Sequence, residues 1–67
     1  MMQVTVNGKK RGFPGGISVS ELLDSLSIDK RYVAVELNLN IVPRKQFSEK
    51  KLWENDNLEI VTFVGGG

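Results

Sequence analysis

Ser18-Val19-Ser20-Glu21-Leu22-Leu23-Asp24-Ser25-Leu26 is the stretch on which the fold turns. Val19, Leu22, Leu23 and Leu26 stand at i, i+3, i+4 and i+7, which places them in one stripe along a helix. Ser18 and Glu21 are spaced as a capping box: the serine hydroxyl accepts the Glu21 backbone N–H while the Glu21 carboxylate reaches back. The spacing predicts a helix from about Val19 to Leu26 or Ser27, with Ser18 as its cap and the stripe against a core. Nothing on this helix reads as a ligand site.

Outward from the helix the period changes from helical to alternating. Gln3-Val4-Thr5-Val6 reads as a first strand with Met2, Val4 and Val6 on one face. Asn7-Gly8 follows, a hairpin signal because both residue types tolerate positive φ. Lys9 to Phe13 is then the returning strand, weakened at Gly12 and ended by Pro14-Gly15-Gly16. After the helix, Tyr32 to Leu37 alternates, with Val33, Val35 and Leu37 facing one way and Ala34 and Glu36 the other. Asn38-Leu39-Asn40 turns into the short apolar piece Ile41-Val42, which Pro43 ends or confines to an edge. From Pro43 to Trp53 the pattern is irregular, with Phe47, Leu52 and Trp53 expected as anchors into the core. Asn55-Asp56-Asn57 is a turn, and Leu58 to Phe63 is the last strand.

The order is β-β-α-β-(short β)-β. The first hairpin is antiparallel, and a helix of this length can return the chain parallel to the first strand. The last strand is therefore expected in the middle, beside the first. This describes an α+β fold, the β-grasp or ubiquitin-like roll, with a mixed sheet of four to five strands on one main helix. Residues 1–64 are expected to form that domain and residues 65–67 a flexible tail.

Composition narrows the function. A chain of 67 residues makes one domain, and at this size only about 60% of the unfolded chain's surface is buried. Cysteine and histidine are both absent, which removes thiolate chemistry, disulfides and the commonest general base and metal ligand. Self-sufficient catalysis is not expected, nor is a metal site. Nine basic and eight acidic residues give a net charge of +1. The basic residues fall in short separate groups rather than a stripe, so no nucleic-acid binding is expected. No stretch reads as a membrane span or a leader, and the absence of cysteine is compatible with a reducing cytoplasm.

The chain ends Val64-Gly65-Gly66-Gly67. A glycine run packs nothing, and ordering it costs about 1–2 kcal/mol per residue. At a free end it is a narrow thread carrying one reactive group, the α-carboxylate of Gly67. Gly65 and Gly66 lack a Cβ, so they can enter a constricted channel and take the φ it demands. Three glycines offer little apolar area to offset their ordering, so a partner must also grip the folded body. If Leu58, Ile60 and Thr62 face one side of the last strand, Val61 and Phe63 face the other. Val61, Phe63 and Arg44 are the candidate docking residues.

These features resemble the ThiS-type sulfur-carrier proteins of thiamin (thiazole) biosynthesis. The resemblance is carried by Asn7 and by Val19-Ser20-Glu21-Leu22-Leu23. It continues through Val33-Ala34-Val35-Glu36-Leu37-Asn38, Ile41-Val42-Pro43-Arg44, Phe47, Asp56-Asn57-Leu58-Glu59-Ile60-Val61, Phe63-Val64 and the final glycines. Such proteins often carry a glycine in the turn near Asp56, where this chain has Asn55 and Asn57. The resemblance implies a carrier that is no enzyme and holds no cofactor, a co-substrate of other proteins. A ThiF-type adenylyltransferase would adenylate the Gly67 carboxylate with ATP, a sulfur-donor protein would convert it to a thiocarboxylate, and ThiG-type thiazole synthase would take the sulfur. The alternatives are a MoaD-like sulfur carrier for molybdopterin and a ubiquitin-like protein modifier conjugated through Gly67.

Overall fold

The computed structural model describes residues 1–63, so Gly65, Gly66 and Gly67, and the flexibility expected of them, lie outside the described residues. Five strands form one sheet: β1 (Met2–Val6), β2 (Lys9–Phe13), β3 (Val33–Leu37), β4 (Asn40–Val42) and β5 (Asn57–Thr62). Their order across the sheet is β2-β1-β5-β3-β4. β1 and β5 are parallel and the other neighbours antiparallel. The last strand therefore lies centrally beside the first, and the sheet is the mixed α+β roll the sequence predicts.

The first hairpin forms as its chemistry requires. Asn7 and Gly8 have φ of 50° and 84°, the left-handed pair that matches the twist of two antiparallel strands. The one α-helix among the described residues, α1 (Val19–Ser25), has both halves of the capping box: Glu21 N–H donates to Ser18 Oγ at 3.0 Å, and Ser18 N–H donates to Glu21 Oε1 at 2.8 Å. The backbone bond from Ser18, above all, holds the Glu21 carboxyl below its ordinary value.

α1 stops sooner than the stripe suggests. Ser27 takes φ of 59°, Ile28 N–H donates to Leu23 O at 2.9 Å and Ser27 N–H donates to Asp24 O at 3.0 Å. This is a Schellman ending with serine in glycine's usual place. Leu26 and Ile28 then pack partly buried against the core.

That core lies between α1 and one face of the sheet. Val4, Val19, Leu22, Leu23, Leu52 and Leu58 are fully buried, with Val35, Val33 and Phe47 nearly so. The irregular stretch after β4 begins with a 3-10 turn at Arg44–Gln46, and its carbonyls meet the start of α1. Val19 N–H donates to Lys50 O and Ser20 N–H to Phe47 O, each at 2.9 Å. The helix N–H groups left without intrahelical partners are thus satisfied partly by a loop some thirty residues downstream.

Of the three expected anchors in this stretch, Phe47 and Leu52 are buried. Trp53 is not. It is 61% exposed, because neighbours in extended chain point opposite ways and Leu52 takes the inward place. Its ring instead lies over Gly16, 3.5 Å from where a Cβ would stand. Two boundaries also shift. Tyr32 belongs to a 3-10 turn, Lys30–Tyr32, whose cap is Asp29, and Asn57 opens β5 rather than closing the turn before it.

Candidate functional site

β5 delivers the chain to the glycine tail. Leu58 and Ile60 point into the core, whereas Val61 is 61% and Phe63 41% exposed. Phe63 lies just past the strand, yet its N–H still donates to Tyr32 O at 2.9 Å. The backbone is therefore pinned to β3's side up to the last described residue.

The register shows what surrounds these two side chains. Val61 stands opposite Ala34, Glu59 opposite Glu36, and Glu36 opposite Ile41. All five of these residues are exposed. The outer face of β5, β3 and β4 thus carries an apolar area next to a pair of glutamates set directly across from each other. Like charges in that relation destabilise a sheet.

Arg44 reaches the same end of the sheet. Its guanidinium donates to the carbonyl of Arg31 at 3.1 Å, one residue before Tyr32. Arg31 in turn forks onto Asp29, with Nη2 donating to Oδ2 at 2.8 Å and Nε to Oδ1 at 3.1 Å. Its guanidinium lies 5.2 Å from the Tyr32 ring centroid, a cation–π distance. The Arg31 side chain, and then its backbone N–H, hold the Asp29 carboxyl down at about 2. Asp29 correspondingly raises Arg31.

The structure therefore brings Val61, Phe63 and Arg44 to one end of the sheet, the end from which the tail departs. Gly65, Gly66 and Gly67 lie outside the described residues. The Glu36–Glu59 pair and the Arg31–Tyr32 stack were not legible from sequence. Alternation does put Glu36 on the outer face, but only the register between β3 and β5 sets it against Glu59. Among the described residues no group of three histidine, cysteine, aspartate or glutamate side chains could hold a metal ion, and no helix is long and apolar enough to cross a membrane.

The ThiS family model matches residues 4–67. The chain is 44% identical over 66 residues to a thiazole synthase of Paramagnetospirillum magneticum, a match covering 98% of this chain but 20% of that protein. It thus spans about one fifth of the length of that relative. It is 38% identical over 50 residues to the sulfur carrier protein ThiS of Bacillus subtilis, covering 75% of this chain and 76% of that one. The crystal structure of a thiamine biosynthesis protein (ThiS) from Geobacter metallireducens superimposes with a TM-score of 0.85 at 36% identity, covering 98% of this chain and 100% of that one.

Proposed function

We propose how this chain, which belongs to the ThiS family of sulfur carriers in thiamin biosynthesis, does its work: Gly67 ends in a carboxylate that is adenylated and exchanged for a thiocarboxylate. A free α-carboxylate has a pKa of about 3.3–3.7, so at neutral pH it is an anion and a poor electrophile. Joining it to AMP, with ATP and a ThiF-type adenylyltransferase, supplies a leaving group. A donor protein delivers sulfur at the sulfide level, and the released hydrosulfide attacks the acyl carbon as the C–O bond to AMP breaks and AMP departs. The resulting thiocarboxylate gives its sulfur to thiazole synthase in the cytoplasm. The carrier is a protein co-substrate throughout and brings no catalytic side chain.

The observation that carries this reading is the exposed Val61–Phe63 face on the strand that leads into the glycines. It supplies the grip on the folded body that an unpackable tail cannot. A thiazole synthase with one stretch similar to nearly the whole of this chain supports that enzyme as the acceptor, ahead of a molybdopterin partner.

The experiment is intact mass after incubation with a ThiF-type enzyme, ATP and a sulfur source, together with the mass of protein isolated from cells. One oxygen should be replaced by sulfur at the terminus. Deleting Gly67, or adding one residue after it, should abolish the change and leave thermal stability near wild type. Gly66→Ala should impair it strongly, because a methyl must pass where the channel fits none. Sulfur gained by the truncated or extended protein would end this reading. A ladder of heavier conjugates in cell extract would favour the modifier instead.

A further inference from the structure

On the opposite side of β5 from β3, the sheet has a notch. The β1–β2 hairpin turns away at Asn7-Gly8, so β1 pairs with β5 only through Thr5↔Asn57 and Val6↔Leu58. Asn7 then extends the pairing with its side chain. Its amide nitrogen donates to Ile60 O at 3.1 Å, and its Oδ1 accepts from Ile60 N–H at 2.6 Å. An asparagine amide thus stands in for one residue of a neighbouring strand.

Leu58 also turns its carbonyl to this side, accepting from Asn7 N–H at 2.9 Å, whereas Phe63 N–H turns to β3. Backbone groups alternate along a strand, so the N–H and C=O of Thr62 face the notch. Among the described residues they meet no partner there. The two outer edges of the sheet are guarded in familiar ways: Lys9, Lys10 and Arg11 on β2, and brevity followed by Pro43 on β4. The edge at Thr62 carries no such guard.

Beside it opens a groove of about 560 Å³ between the hairpin and the end of α1. Val6, Leu26, Ile28 and Ile60 give it an apolar floor. Lys9 and Arg11 stand on its wall, and no acidic side chain lines it. Among the described residues neither cation forms an ion pair.

We propose that this notch receives an extended acidic segment of a partner protein. The segment adds as a short strand on Thr62, rests an apolar side chain on the groove floor and sets a carboxylate against Lys9 and Arg11. The proposal rests on the carrier reading only for the choice of partners. A second copy is the poorer occupant, because pairing two such edges brings two Lys9–Arg11 pairs together. Strand addition at Thr62 would fix the course of the chain three residues before Gly65.

The test uses the full chain, ¹⁵N-labelled, with a ThiF-type adenylyltransferase and with a ThiG-type thiazole synthase in turn. In complex with at least one of them, the Thr62 amide should exchange about tenfold or more slowly than in the free protein. The double variant Lys9→Glu, Arg11→Glu should weaken that complex by about tenfold or more at low salt, and the difference should shrink near ~0.5 M salt. Thr62→Pro removes the notch-facing N–H without taking a bond from the sheet, and should weaken the same complex while the fold persists. A full-strength complex with Thr62 exchanging as in the free protein would overturn the inference. So would wild-type affinity in the charge-reversed variant, failure of both partners to bind, or protection that grows with the chain's own concentration. Sulfur gain at Gly67, read by mass, reports separately on the carrier reading.

Discussion

The two faces of β5 differ sharply although one strand carries both. Inward, Leu58 is fully buried and Ile60 8% exposed; outward, Val61 is 61% exposed. Both faces carry apolar side chains, so hydrophobicity alone does not decide which is buried. Among the described residues one α-helix is available to cover the sheet, and it covers one face. The other keeps its valine and phenylalanine in water next to two opposed glutamates. One strand thus anchors the core and displays a surface, and the two roles can be separated by mutation.

The largest expected effect is on the inward side. Leu58→Ala should cost about 2–5 kcal/mol, since the surrounding core closes only partly around the lost side chain. Chemical denaturation would show this as a lower midpoint with the slope unchanged, and an unmoved midpoint would break the division of roles. The outward counterpart is Val61→Lys. Its stability should change by no more than about 0.5 kcal/mol, as surface substitutions usually do. Its rate of sulfur gain with a ThiF-type enzyme should nevertheless fall by about tenfold, roughly 1.4 kcal/mol. A normal rate would remove Val61 from the docking face.

A smaller effect sharpens the inward half through the helix it packs on. Ser18→Ala removes the hydroxyl that accepts Glu21 N–H and should cost about 1 kcal/mol in a thermal or denaturant melt. The outward face should then dock as before.

The mildest lever is acid, and its sign follows from two depressed carboxyls. Glu21 lies below its ordinary 4.5, and Asp29 falls from 3.8 to about 2. Each contributes stability that is fully present above its unfolded value and is lost as pH falls through its folded value. Stability should therefore hold above about pH 5 and decline toward pH 2. Both groups are solvent-exposed, so the decline should be shallow and should flatten in salt. In Arg31→Ala the Asp29 carboxyl should titrate closer to its ordinary range, which side-chain NMR would read.

Much of the fold was legible because it is locally encoded. Alternation in Val33–Leu37, the Asn7-Gly8 turn and the Ser18–Glu21 box each work within a few residues, and each formed as expected. The placement of the proposed docking residues was legible in part. Alternation separated Val61 and Phe63 from Leu58 and Ile60, but it could not say which set the helix would cover. Trp53 was misread because an irregular stretch has no period from which to infer an inward side.

By itself the sequence determined the elements, their order, the cap of the one helix and a glycine-rich end, since these depend on residue type and short spacing. Tertiary structure decided the rest. It brought the carbonyls of Phe47 and Lys50 to the start of α1, set Asn7 against Ile60 across the chain, and placed Glu59 opposite Glu36. The physical reason is that hydrogen bonds and charge contacts between distant residues depend on strand register and on which face the core claims. Those are properties of the whole packed sheet and of no single segment.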